Sequence, residues 1–322
     1  MSESTGGLPV VLVTEHSDAE PLKWLSERAK VIEAGPDAPG FGEHLATAGG
    51  LLVRTYTKVN DELLSRAPKL KVVGRGGVGL ENIDVPACRR RGVEVVYTPD
   101  ANTLAVGDFV FGYLTRLVRG WAYFKEDVLD PKEFKRLRDT LRGRQLNEMT
   151  LGIVGMGRVG RRVGHIAASG FGMHVLYNDL QDVRAHLDFS ATAVDKPTLY
   201  QSSDVLSIHV DMRAGNENLV GRDQLELMKR GSLLINTSRG EVLDVYAVAD
   251  AIRSGRLAGA ALDVFHPEPP KSDFPLLGLE NVILTPHIAA RTTTAMTNMG
   301  WVVRDVLAVL EGRKPRYPAP GK

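Results

Sequence analysis

The sequence predicts an α/β protein built on two parallel sheets, and three observations predict it. Short apolar runs alternate with helical stretches along almost the whole chain. One glycine turn, Gly155–Gly160, falls between an apolar run and a helix. The length, 322 residues, is long for one core and comfortable for two.

The elements follow in order. In the first hundred residues strands are expected at Val10–Val13, Lys30–Glu33, Leu51–Val53, Leu70–Val73 and Glu94–Val96. Helical stretches near Ala19–Ala29, Asn60–Ala67 and Val85–Arg91 separate several of them, which makes the strands parallel. A long helix is expected after Asn102, capped by Asn102 or Thr103 and running to about Gly120. Trp121–Asn147, rich in charge and holding Pro131 and Gly143, reads as an exposed connection. A second strand series comprises Leu151–Val154, His174–Tyr177, Val205–Val210, Leu233–Asn236, Ala260–Asp263 and Val282–Leu284, and one final helix covers Thr292–Leu310. The polar, glycine-rich Met1–Leu8 reads as a tail.

Gly155-Met156-Gly157-Arg158-Val159-Gly160 is the most informative motif. The first glycine permits a tight turn, the second lets the backbone touch a pyrophosphate, and the third lets helix and strand pack closely. The helix start adds unpaired N–H groups and a partial positive charge. Asp179 closes the next strand, where a carboxylate takes the adenosine ribose hydroxyls and repels a 2′-phosphate. The pattern predicts a Rossmann unit that prefers NAD to NADP. Gly74–Gly79 repeats the spacing, but Glu81-Asn82-Ile83-Asp84 and Pro86 delay the next helix, so no helix start faces those glycines.

Composition narrows the function. Hydrophobic content of 43% and charged content of 25% are those of a soluble globular protein. A net charge of +1 gives no general attraction to nucleic acid or an anionic membrane, and no apolar run has the length of a membrane span. The single Cys88, beside Arg89-Arg90-Arg91, excludes an internal disulfide, fits a reducing cytoplasm and reads as a packed filler residue. No metal site is expected, because H-E-x-x-H and comparable spacings are missing, and so is the G-x-S-x-G elbow.

Polar residues collect after the strands of the second series: Gly155, Asp179, His209 with Val210, Thr237-Ser238-Arg239, Asp263, and Pro286-His287. Parallel strands would bring all of them to one edge. The Arg239 fork suits a planar carboxylate, and His287 exchanges protons near neutral pH. Glu268 is restrained within His266-Pro267-Glu268-Pro269-Pro270. Singly these read as a surface ion pair, a structural histidine and a solvated loop acid. Jointly they suit hydride transfer coupled to proton transfer. A dinucleotide motif at mid-chain also implies a complete domain before it, with the active site expected in the cleft between the two.

At these residues the chain resembles the D-isomer-specific 2-hydroxyacid dehydrogenase family, from about Val10 to Ala319. The resemblance rests on Gly74–Asp84, Gly155–Gly160, Leu234–Gly240, Ala260–Phe265 with Glu268-Pro269, and Thr285–Ala290, in that order and spacing. It implies a Rossmann NAD-binding domain at 102–291, inserted in a flavodoxin-like substrate domain formed by 1–101 and 292–322. It also implies His287 as the proton carrier, Glu268 as the carboxylate that holds it, and Arg239 on the substrate carboxylate. Cofactor contacts carried over by motif are Val78, Gly155, Gly157, Arg158, Val159, Gly160, Asp179, Val210, Thr237, Ser238, Arg239, Asp263, and the backbone of His287, Ala289 and Ala290. The loop at Gly76 and Gly77 would offer N–H groups to the substrate carboxylate.

Within the family, Leu52–Val59 and Gly74-Arg75-Gly76 look most like the phosphoglycerate dehydrogenases, making Arg54 and Arg75 candidates for a distal anion. Hydroxypyruvate or glyoxylate stays open as the substrate, as does, in a different class, an NAD-sensing binding module of the corepressor type. A homodimer and the lack of a following regulatory domain are further implications. The chain departs from the family at Val106-Gly107-Asp108-Phe109, at Val210–Asn216 and in the basic stretch Asp130–Arg144.

Overall fold

The computed structural model describes residues 7–121 and 130–321. The tail expected at Met1–Leu8, up to residue 6, and residues 122–129 of the expected connection lie outside the described residues. The chain divides into two compact units, Met1–Asn102 with Ala290–Lys322, and Thr103–Ala289.

The first unit contains β1 (Val10–Val13), β2 (Lys30–Glu33), β3 (Gly50–Val53), β4 (Val72–Arg75) and β5 (Glu94–Tyr97). They form a parallel sheet in the order β2-β1-β3-β4-β5, the flavodoxin-like winding. Strand residues alternate between two cores, as a period of two requires. Leu12, Leu51, Val53, Val73 and Val95 face one, while Val11, Val13, Leu52, Val72 and Val96 face the other with Val302, Val303 and Val306. Both faces of the central strands are covered, which is why β1 and β3 read as unbroken apolar runs, whereas the edge strand β2 begins and ends on the exposed Lys30 and Glu33.

Two expectations are corrected in this unit. The fourth strand starts and ends two residues later than expected, so Gly74 lies inside it and makes no turn. A Cβ at Gly74 would stand 2.4 Å from a Val306 methyl, so this glycine serves close packing of a helix on the sheet. The single closing helix is two, Thr293–Gly300 and Val303–Leu310. Gly300 ends the first where a Cβ would meet Pro21 at 2.7 Å.

The second unit contains β6 (Thr150–Val154), β7 (His174–Asn178), β8 (Thr192–Ala193), β9 (Val205–Ile208), β10 (Ser232–Asn236), β11 (Leu257–Leu262) and β12 (Val282–Leu284). The order is β12-β11-β10-β9-β6-β7-β8, all parallel, so the winding reverses at β6/β9 as in a doubly wound dinucleotide fold. Again the strands feed two cores: Val154, Leu206, Ile208, Leu234 and Leu262 on one face, Leu151, Ile153, Val205, Ile235 and Ala261 on the other. The two-residue β8 carried no readable sequence pattern.

The long helix runs Thr103–Val118. The expected connection after it contains a further helix, Pro131–Thr140, none of whose residues is buried. Its start was legible, because Asp130 caps the Lys132 N–H at 2.9 Å and Pro131 stands at the first position. With only Phe134 and Leu137 apolar among ten residues, its apolar side is too sparse to mark a core-facing helix, and the stretch resembled a loop. Among the described residues no helix is long and apolar enough to cross a membrane. Cys88 is fully buried, and burial pushes its thiol up to about 11, which leaves it inert at neutral pH.

Candidate active site

Register aligns the carboxyl ends of the second sheet. Asn178 pairs with Val154, Val154 with Ile208, Ile208 with Asn236, Asn236 with Leu262, and Leu262 with Leu284. The residues that follow, Gly155, Asp179, His209, Thr237, Asp263 and Thr285, therefore begin one row of loops along one edge.

The glycine loop leaves β6 into the helix Arg158–His165, so Arg158 and Val159 are its first residues. Gly155 has φ +90°, and a Cβ there would lie 2.6 Å from the His209 carbonyl oxygen. A Cβ at Gly160 would lie 2.1 Å from the Gly155 oxygen, so no side chain fits. At Gly157 a Cβ would meet nothing within 4 Å, which leaves the backbone open to approach at the helix start. Asp179 accepts the Met156 N–H at 2.7 Å and the Gln181 N–H at 2.9 Å, tying the acid to the glycine loop. Thr237 Oγ1, farther along the row, is buried without a hydrogen-bond partner. An open glycine, a helix start and an orphaned hydroxyl on one edge fit a dinucleotide.

His209 hydrogen-bonds Ser207 Oγ through Nε2 at 2.8 Å. The residue keeps some surface, but its ring is densely surrounded, and this desolvation pushes it down to about 3 and keeps it neutral. Val210, beside it, is half-buried. Asp211, in the departing stretch, is exposed and bonded to Arg213 by two contacts of 2.7 and 2.8 Å.

The turn after β10 is organised by Asn236, which sequence reasoning passed over. Its Oδ1 accepts from the Ser238 N–H and hydroxyl at 3.0 and 2.8 Å, and its Nδ2 donates to the Arg239 carbonyl at 2.8 Å. Gly240 allows this turn to touch the next loop, since a Cβ would lie 2.0 Å from the Phe265 carbonyl carbon. That loop carries Glu268, whose Oε1 accepts the Phe265 N–H at 3.0 Å. Its Oε2 is 2.9 Å from His287 Nδ1. Burial pushes the Glu268 carboxyl up, but the His287 hydrogen bond and charge, the Phe265 N–H and the charge of Arg239 together hold it below its ordinary value. An ionised Glu268 accepts, so Nδ1 carries its proton as donor, and Nε2 is the atom left for proton exchange.

His287 itself has φ +54°, a left-handed backbone uncommon for a residue with a side chain. Asp263 holds it there. The Asp263 carbonyl accepts the His287 N–H at 2.9 Å, and its carboxylate accepts the N–H groups of Ile288 and Ala289 at 2.8 and 2.7 Å. Thr285 donates to the same carboxylate and is itself bonded to Tyr113. The sequence reading put Asp263 on the cofactor; in the structure it is 1% exposed and its carboxylate is taken up by the loop that presents His287. Only its position after an apolar strand signalled a role.

The remaining candidates belong to the first unit and its closing segment. Arg75 ends β4 and donates to the Gly76 carbonyl at 2.6 Å, while Val78 is exposed. The Gly76 and Gly77 N–H groups are bonded to the Val53 and Arg75 carbonyls at 3.0 and 2.9 Å. The Arg54 guanidinium contacts the sulfurs of Met296 and Met299 at 3.5 and 4.0 Å. Ala290, expected beside the cofactor, is half-buried, and its carbonyl accepts the Thr292 N–H at 3.1 Å.

Comparison with known proteins bears on this geometry. The profile of the family described as D-isomer specific 2-hydroxyacid dehydrogenase, NAD binding domain, matches residues 111–289. The chain is 34% identical over 306 residues to a D-3-phosphoglycerate dehydrogenase of Archaeoglobus fulgidus, covering 94% of this chain and 57% of that protein. It therefore spans little more than half the length of that relative. It is also 34% identical over 317 residues to a glyoxylate reductase of Thermococcus litoralis, covering 95% of both chains. Among solved structures, D-lactate dehydrogenase from Aquifex aeolicus, complexed with NAD and lactic acid, is similar with a TM-score of 0.79 and 28% identity, covering 94% of this chain and 96% of that one. The chain belongs to the D-isomer specific 2-hydroxyacid dehydrogenase family and carries that family's NAD-binding domain.

Proposed function

We propose that this protein is an NAD-dependent oxidoreductase of D-2-hydroxy acids and their 2-keto partners. The observation that carries the reading is the His287–Glu268 pair at 2.9 Å, on the sheet edge that also bears the glycine loop. When bound, NAD supplies or takes the hydride at substrate C2. Gly155, Gly157, Gly160, Arg158 and Val159 would hold its pyrophosphate, and Asp179 its ribose. Val78, Val210, Thr237, Ser238, Ala289 and Ala290 would line the rest of it. His287 Nε2 gives a proton to the C2 oxygen in reduction and takes it back in oxidation. Glu268 keeps the ring oriented and offsets its charge. Arg239 binds the substrate carboxylate and polarises the C2 oxygen.

The substrate's far end is assigned to Arg54 and Arg75, which favours an acid with a distal anion such as 3-phosphoglycerate. The Arg54 guanidinium has two thioether sulfurs as its side-chain contacts, and burial together with the nearby Arg291 charge lowers its proton affinity. A half-buried cation so placed is stabilised by an anionic ligand. Arg54→Met and Arg75→Met are expected to raise KM for 3-phosphoglycerate about ten- to a hundredfold, the loss of one charge-assisted hydrogen bond, with KM for glyoxylate unchanged. Steady-state kinetics on both substrates checks this, and equal KM values in variants and parent protein would favour glyoxylate or hydroxypyruvate. The single, buried Cys88 supports a reducing, cytoplasmic location.

A further inference from the structure

The loop Arg54–Thr57 is held by two side chains that the reaction does not use. Glu15, just past β1, accepts N–H groups from four consecutive residues. The contacts are Arg54 at 3.0 Å, Thr55 at 2.8 Å, Tyr56 at 3.2 and 3.1 Å, and Thr57 at 2.9 Å. From the loop after β4, the Asn82 amide donates to the Arg54 and Thr57 carbonyls at 3.0 and 2.8 Å. Thr14 and Thr57, both buried, join their hydroxyls at 2.7 Å.

A carboxylate offers about four lone-pair positions, and here five contacts draw on them for one backbone loop. Arg54 is thereby fixed at its N–H and its carbonyl, so its side chain leaves the loop from a set origin. Burial pushes the Glu15 carboxyl up, but the four amides outweigh it and hold the group below its ordinary value, hence ionised.

We propose that Glu15 is a positioning residue for substrate recognition: by pinning four amides it aims Arg54 at the distal anion of the substrate. This inference rests on the reading of Arg54 given above. Glutamine at position 15 would keep the volume but turn an NH2 group toward converging N–H donors, so part of the loop loses its acceptors.

The test compares Glu15→Gln, Arg54→Met and the double variant on 3-phosphoglycerate and on glyoxylate, with NADH affinity followed by fluorescence. Glu15→Gln is expected to raise KM for 3-phosphoglycerate about tenfold, the scale of a small misplacement of a binding group. Values of kcat and KM for glyoxylate and the Kd for NADH stay unchanged, and the double variant is no worse than Arg54→Met alone. Glu15→Asp, which keeps the charge, recovers part of the loss and gives the same substrate ratio should the glutamine variant not fold. Parallel losses on both substrates would show a purely structural role and overturn the proposal. A KM raised by Arg54→Met but not by Glu15→Gln refutes the positioning role alone. No effect of Arg54→Met refutes the distal-anion reading, and this inference with it.

Discussion

Replacing His287 with glutamine is expected to cut kcat about a thousandfold, the scale of general acid–base catalysis, while the Kd for NADH stays within about twofold. Nδ1 is committed to Glu268, so the ring has one nitrogen for the substrate, and glutamine offers no group that titrates near neutral pH. The dinucleotide contacts assigned to the glycine loop lie on β6 and the helix after it, and are not altered by a change at the end of β12. The Glu268–His287 pairing contributes stability above the ordinary carboxylate range, and the contribution is lost as pH falls through the depressed Glu268 value. Steady-state kinetics and fluorescence titration of one preparation check the result. Comparable losses in kcat and NADH affinity would make His287 a structural residue.

Asp263→Ala should be the most destabilising substitution at the site. It strips the acceptor from the Thr285 hydroxyl and from the Ile288 and Ala289 amides at once, in a position 1% exposed. Leaving such donors unsatisfied costs about 3 kcal/mol once some are rehydrated. For a domain of this size that corresponds to a fall in Tm of roughly 6–12 °C. The loop that forces His287 to φ +54° would relax toward ordinary backbone, moving Nε2 from its place. Activity should therefore drop even at temperatures where the variant is folded. Thermal unfolding followed by circular dichroism, with kcat measured well below Tm, checks both parts. An unchanged Tm would mean that Asp263 is not the anchor of this loop.

Much of the molecule was legible from sequence because parallel sheets advertise themselves. Strands covered on both faces must be apolar throughout, and Val10–Val13 stood out to the residue, as did the half-buried edge strand Val282–Leu284. The histidine, acid and arginine were legible because each follows an element whose end was legible. What escaped was set by tertiary contact. Gly74 looked like a turn glycine, and only the approach of Val306 shows that it is a packing glycine inside a strand. Asp263 looked like a ligand residue, yet its partners lie in a loop more than twenty residues further on. Asn236, although it lies inside the Leu234–Gly240 stretch, and Glu15 were given no role by the sequence; each matters through the backbone groups that its side chain bonds. The helix Pro131–Thr140, with Phe134 and Leu137 as its only apolar residues, carried too sparse a stripe to be recognised, although its cap was in plain view.

The most direct test is NADH oxidation by the purified chain with glyoxylate, hydroxypyruvate, phosphohydroxypyruvate and pyruvate, followed at the NADH absorbance band with chiral analysis of the product. NADH consumption matched one to one by a D-2-hydroxy acid with at least one substrate, or by achiral glycolate from glyoxylate, is the predicted result. Saturable NADH binding with no consumption on any of them would contradict the account and identify a binding module that senses the cofactor.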